Sequence, residues 1–487
     1  MLKHPYKTLL VFIYFLFIFS ACKKDPVTID GNNTPPKGKI AVDIGNSTIP
    51  YIIVDTKNKP INFEPKIPAV FEIYEKGTET KVYNAGIEYR GKTSFKSSDK
   101  KPFGFEIWDA SGKEINAPIL GMPEESDWIL NNHVVSLKDR YIWDRTLMYN
   151  FIGYELSRSI GVYASRSKFV ELQINGDYLG VYVLMERLKR DKNRININDL
   201  KATSANITGG YILKIDKTSA PPDAVGKPLS YFLTNWADDA RYTAQNSFRS
   251  RLDINGKIIN FAPYGPPYHP NLYLETYFNY EYPKAEDITP AQKDYIQKYI
   301  DQFETALVKD DFSKNQRSYE QYIELASFVD YFILNELFRN VDAYRLSTYL
   351  QKDKDSKLKM GPIWDLNIGF DEGGRIPMNE WVINYNKVVQ SDPWMMPFWW
   401  PKLLEDPVFR AAVKARWNVV RSKEFSTATM HALVDKTATY LKDNGAVNRN
   451  YKKWDVGIGV NYDSSVNNLK NFLRDRAAWM DSMISRF

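Results

Sequence analysis

The stretch Asn340-Val341-Asp342-Ala343-Tyr344-Arg345-Leu346-Ser347-Thr348-Tyr349-Leu350, a polar turn, and then Gly361-Pro362-Ile363-Trp364-Asp365-Leu366-Asn367-Ile368-Gly369-Phe370 sets the architecture expected of this chain. Leu346 to Leu350 and Leu358 to Ile363 read as two short strands around the Asp353 to Lys357 turn, which predicts a small hairpin. Asp342 precedes its first strand and Asp365 follows its second. An antiparallel pair brings those ends together, so two carboxylates emerge at one edge. Aspartates so placed can simply cap turns. They are also the pair that phosphoryl transfer needs, one orienting an acceptor hydroxyl and taking its proton, the other holding the magnesium that bridges the phosphates.

Working outward, alternating runs from Ile40 to about Trp108, such as Tyr51-Ile52-Ile53-Val54, predict a mostly antiparallel sheet. Helical spacing from Asp139 to Ile160, stopped by Gly161, predicts one long helix. Phe169 to Ile174 and Tyr178 to Met185 flank Asn175-Gly176-Asp177, the strongest hairpin signal in the chain. Ala202 to about Asp287 mixes strand-like runs with polar and Pro-rich stretches. Helices dominate from Pro290, among them Pro401 to Ser422 and Val466 to Ile484, with Arg474 and Arg476 near a solvated face. The run Trp394 to Trp400 reads as packing of that helical half. The expected class is α+β, with a β-rich lobe over 40–200 and a connector plus mainly helical lobe over 201–487. Sheet, helix, sheet, connector and helical half is the order of a two-lobed kinase, whose cleft holds a nucleotide.

Composition removes other chemistries. Lys plus Arg total 65 against 59 Asp plus Glu, a thin excess over 487 residues with no basic run, so nucleic acid is not an expected partner. One cysteine excludes an internal disulfide and a cysteine zinc cluster. The histidines, His4, His133, His269 and His431, lack metal-site spacing. Chemistry is left to carboxylates, amines and hydroxyls. Residues 1–21 read as a lipoprotein signal: Lys3 and Lys7 lead an apolar run from Leu9 to Phe19, which ends in Ser20-Ala21-Cys22. Cleavage before Cys22 and lipidation of its thiol would follow, with residues 22–39 as a flexible tether. That places the folded part in the cell envelope, anchored to a bacterial membrane outside the cytoplasm, in the periplasm or at the cell surface.

Further stretches carry a family likeness. They are Arg90-Gly91-Lys92-Thr93-Ser94 with Lys100-Lys101-Pro102-Phe103, then Asn175 to Glu186, Gly209-Gly210-Tyr211-Ile212-Leu213, Asn335-Glu336-Leu337 through Asp342, and Gly361 to Asp365. Their joint order and spacing resemble the CotH family, the spore-coat-protein-H-like kinases with an atypical kinase fold, from about Ala69 to the end. The resemblance implies a protein kinase that uses ATP and Mg²⁺ or Mn²⁺ to phosphorylate Ser/Thr hydroxyls of a protein substrate, with Asp342 catalytic and Asp365 a metal ligand. It also implies a nucleotide-binding lysine from the strand entered at Lys100-Lys101, with Lys101 preferred and Lys100 the neighbouring alternative. Arg90 can grip phosphate oxygens or be a surface arginine; Glu186 can meet the adenine, the ribose or a metal, or lie at the surface. Glu155 is an alternative partner for the lysine. Ser347 stands five positions after Asp342, where protein kinases carry asparagine, so Ser347 and Asn367 are candidate metal ligands. The alternative is a catalytically inactive kinase-like surface or scaffold protein.

Overall fold

In a computed structural model of the chain the described residues are 38–218, 242–264, 275–370, 374–392, 394–457 and 461–487. The expected leader, Cys22 and most of the expected tether lie outside them.

The N-terminal strands are β1 (Tyr51–Asp55), β2 (Ile67–Tyr74), β3 (Lys81–Tyr89), β4 (Phe103–Trp108), β5 (Asp127–Asn131), the short pair β6 (Val135–Ser136) and β7 (Tyr141–Ile142), then β8 (Ser167–Ile174) and β9 (Asp177–Glu186). Seven of them close into a barrel in the order β1-β2-β3-β4-β5-β9-β8. Closure comes from β1 pairing parallel to β8, Tyr51 opposite Glu171, which removes both edges of what would be an open sheet. Asn175 and Gly176 turn β8 into β9 with φ of 50° and 86°, the left-handed pair a two-residue hairpin needs. Phe71, Phe105, Trp128 and Tyr182 fill the barrel. A single helical turn, α1 (Thr93–Ser97), joins β3 to β4.

The long helix expected from Asp139 is shorter, α2 (Tyr149–Ser159). Before it, Asp144 accepts hydrogen bonds from the Thr146 and Tyr149 amides at 2.9 and 2.7 Å, and Leu147 sits at φ 63°. The carboxylate draws the backbone out of a helical path, while tertiary burial supplies the apolar spacing that mimics one.

Residues of the least legible region form a second sheet with the expected hairpin. Strands β10 (Tyr211–Ile215), β11 (Ser247–Arg249), β12 (Tyr277–Tyr282), β13 (Thr348–Lys352) and β14 (Leu358–Met360) lie in the order β11-β12-β10-β13-β14. The hairpin is β13 and β14; its first strand begins two residues later than expected, at Thr348, and its second stops at Met360 instead of Ile363.

Helices make up the rest: α3 (Pro290–Lys309), α4 (Leu325–Leu337), α5 (Trp399–Glu405), α6 (Pro407–Arg421), α7 (Thr427–Asp443), α8 (Ala446–Lys453) and α9 (Tyr462–Ile484). Thr289 and Gln292 form a reciprocal capping box at the start of α3. The helix expected over 401–422 divides at Asp406, whose carboxylate caps α6 through the Val408 amide at 2.9 Å, with Pro407 at the first helical position. Trp399 and Trp400 are buried in this half. Arg476, expected near solvent, is fully buried and pairs with fully buried Glu336 of α4 at 3.1 Å. Two charges taken out of water need such a pairing, which ties α9 to the segment that leads into Asp342. Arg474 remains on the outside, bonded to Asp475. Among the described residues no helix is long and apolar enough to cross a membrane.

Candidate active site

The register of the second sheet builds the site. Ile215 lies opposite Thr348 and Lys214 opposite Tyr349, so the end of β10 reaches the start of β13, where the Asp342 to Ser347 turn arrives. On that turn Leu346 donates its amide to the Asp342 carbonyl at 2.8 Å. Tyr344 and Ser347 hold left-handed φ of 72° and 48°, and Asp365 holds 57°. For Tyr and Ser such angles carry a backbone cost that the surrounding contacts must offset.

Helix α2 sets the Asp365 segment. The Tyr154 hydroxyl accepts from the Asp365 amide at 3.3 Å, and Asn150 accepts from the Leu366 amide at 2.8 Å and donates to the side-chain Oδ1 of Asn367 at 2.7 Å. Gly153 allows this approach, since a Cβ there would lie 2.0 Å from a Leu366 methyl. Asp342 and Asp365 thereby line one cleft of about 260 Å³, together with Arg90, Lys214, Ser347 and Asn367. Its enclosed position and the neighbouring Asp342 carboxylate push the Asp365 carboxyl up to about 6, against the pull of Arg90 and Lys214.

The cleft also holds an ammonium the sequence reading passed over. Lys214 bonds Asp216 at 2.6 Å and stacks over Tyr349 at 5.1 Å. Burial opposes charge on both groups, but Asp216 and Tyr349 outweigh it for Lys214, whose ammonium is held above its ordinary range, and Lys214 and Lys92 outweigh it for Asp216, which is held below. Lys214 and Asp216 follow Gly209-Gly210-Tyr211-Ile212-Leu213 at alternate strand positions, a same-face cation and anion that could have marked them. Gly91 turns the chain after Arg90 at φ 78°, where a Cβ would meet the Ser94 hydroxyl at 2.3 Å. This turn brings Lys92 and Thr93 to the cleft. Lys217 donates to Thr93 Oγ1 at 3.3 Å and packs over Trp394, which lines the cleft apart from the buried Trp399 and Trp400.

Other expected site residues lie elsewhere. The Lys101 ammonium donates to the Phe95 carbonyl at 2.9 Å and packs on the Phe95 ring, because its place before β4 directs it toward α1 rather than the cleft. Lys100 is fully buried on the other side, bonded to the Val181 carbonyl and to Asn450 Oδ1, with Tyr182 beneath it. Glu186 is buried at the end of β9, holding Arg166 at 2.8 Å and Tyr163 at 3.0 Å, and does not line the cleft. Glu155 pairs with Arg158. Asn367 is in the cleft, but its amide nitrogen donates to Asp365 Oδ1 at 2.6 Å while its carbonyl oxygen faces Asn150, so it orients Asp365 instead of presenting an oxygen beside it. A separate acidic group, Glu114, Glu125 and Asp127, lies outside the cleft, and Lys189 bonds two of its members at 3.1 and 2.7 Å.

Asp365, Asp342, Asp216 and Ser347 offer hard oxygen donors, the set that magnesium or manganese takes. The raised Asp365 carboxyl fits this, since two carboxylates facing one space favour a divalent cation between them. Arg90, Lys214 and Lys217 offer cations to a polyphosphate, and Trp364, over which Arg90 packs at 6.0 Å, offers an aromatic face. A family model described as CotH kinase protein matches residues 87–480, most of the chain and all of these cleft residues. No curated protein matches it.

Proposed function

This chain belongs to the CotH kinase protein family, and from that premise we propose that the barrel and the helical half are the two lobes of a kinase-like fold whose cleft transfers the γ-phosphoryl group of ATP to a protein Ser/Thr hydroxyl. The observation that carries the proposal is the convergence of Asp342 and Asp365 on one cleft with Lys214 and Arg90. Asp365 would hold Mg²⁺ or Mn²⁺, which when bound neutralises phosphate charge. Lys214 and Arg90 bind phosphate oxygens and fix the nucleotide. Asp342 orients the acceptor hydroxyl and takes its proton as the acceptor oxygen bonds to the γ-phosphorus and ADP leaves.

A second reading, a silent scaffold, draws on Ser347 in the asparagine position and on the turned amide of Asn367. The two part on nucleotide binding. ATP with Mg²⁺ at a hundred times its dissociation constant should stabilise the fold by about 2.7 kcal/mol, several degrees in midpoint, and Lys214→Met should remove most of that shift. A chain that ATP-Mg²⁺ leaves unshifted, and that labels no protein acceptor from γ-labelled ATP, is the scaffold.

The reading includes an envelope location, with Cys22 as the lipidated first residue of the mature protein. Cys22→Ser should move the protein from the membrane to the soluble fraction on cell fractionation. A variant that stays membrane-bound removes the anchor from the proposal.

A further inference from the structure

Arg345 was not singled out by its sequence position, yet its side chain is fully buried and each of its three guanidinium nitrogens donates a hydrogen bond. Nε donates to the Val341 carbonyl at 3.0 Å, Nη2 to Asp342 Oδ1 at 2.8 Å and Nη1 to Asp392 Oδ1 at 2.9 Å. The Tyr385 ring lies 3.9 Å from its centre. Asp392 is held in turn, by the Tyr385 hydroxyl at 3.0 Å and by the Trp394 amide at 2.9 Å. The left-handed Tyr344, φ 72°, folds the chain back so that Arg345 reaches Asp342 three residues earlier.

We infer that Arg345 is the positioning residue of the proposed transfer reaction, using one oxygen of Asp342 as an anchor so that the other is presented to the acceptor hydroxyl. The inference rests on the kinase reading. A planar fork with fixed donors can hold two carboxylates and a carbonyl at once, whereas an ammonium on a flexible stem supplies the charge without the plane. Arg345 touches neither nucleotide nor acceptor in this scheme, so its loss acts through the aim of Asp342. Asp392 braces the fork from the far side, linking that aim to Tyr385 and to Trp394, which lines the cleft.

The test compares wild type, Arg345→Lys and Asp392→Asn. Arg345→Lys keeps the buried charge, and Asp392→Asn keeps the shape at Asp392 should the lysine variant fold poorly. Each variant is taken through midpoint of unfolding, KM for ATP, kcat for transfer to a protein acceptor, and the ratio of phosphate delivered to protein against phosphate released to water. Positioning by Arg345 requires kcat to fall about 10- to 100-fold in Arg345→Lys and less in Asp392→Asn, with KM for ATP within about threefold and the ratio shifted toward water. A purely structural role lowers the midpoint or the active fraction and leaves that ratio unmoved; this result overturns the positioning role alone. A wild-type chain that transfers no phosphate to protein overturns the kinase reading and this inference with it.

Discussion

Asp365→Asn should abolish magnesium-dependent stabilisation by ATP and cut phosphate transfer by at least about 10²- to 10³-fold, the usual loss for one electrostatic stabiliser of a transition state. Asparagine suits the site sterically. It tolerates the left-handed φ of 57° and can keep the hydrogen bond with the Tyr154 hydroxyl through its backbone, so the variant should fold. What it lacks is the charge. The pH dependence follows from the same group. Its carboxyl is pushed up to about 6, first by burial and then by Asp342, so the folded chain without metal retains a proton that the unfolded chain has already released. The stability of the metal-free fold therefore falls, as far as this group contributes, while pH rises from about 4 to about 6. Metal-dependent stabilisation runs the other way, complete above about pH 6 and lost as pH falls through it. Asp365→Asn carries neither dependence, and its metal-free midpoint at pH 7 should equal or exceed that of wild type by a few degrees. Thermal unfolding of both proteins with and without ATP-Mg²⁺ across pH 4–8 checks all of this. A variant that keeps the magnesium-dependent shift removes Asp365 from the metal site.

Such a gain in stability on losing a site residue is expected where chemistry is held in a strained, like-charged environment. The sequence shows part of that environment. The two aspartates were legible because a short hairpin converts their separation along the chain into proximity, a local rule that needs no knowledge of the rest of the fold. The Asn175-Gly176 turn was legible for the same reason. Lys214 offered only a faint mark, its same-face spacing with Asp216, because what brings it to the cleft is the pairing of its strand with β13, far away in the chain. Arg345 and Arg476 escaped on a different ground: charged residues are assigned to solvent by default, and each here is buried against carboxylates from distant segments. Lys101 misled because the adjacent ring of Phe95 and its carbonyl offer a nearer home than the cleft. The stretch from Asp139 misled because burial in a crowded core reproduced helical spacing without a helix.

Asp342→Asn should have a different signature from Asp365→Asn, which is the sharpest separation of the two roles. In its proposed role, Asp342 orients the acceptor and takes its proton, so its loss should act on the transition state alone, and general-base contributions are typically 10²- to 10⁴-fold. Phosphate transfer should fall by about that factor while KM for ATP stays close to wild type. The amide oxygen can still accept from Arg345, whose other carboxylate partner, Asp392, remains, so the buried guanidinium is not abandoned. Electrostatics adds a second mark. Asp342 is the largest influence after burial in raising the Asp365 carboxyl, so its neutralisation should let Asp365 ionise at lower pH. Metal-dependent stabilisation by ATP should then persist further into the acid range in Asp342→Asn than in wild type. A variant dead in transfer but better at holding ATP-Mg²⁺ near pH 5 would be hard to obtain from general disruption of the fold, which weakens both together. Parallel loss of transfer and nucleotide binding, with no displacement of the acid limb, would instead show that the two carboxylates do not share a site and would return Asp342 to the role of a turn cap.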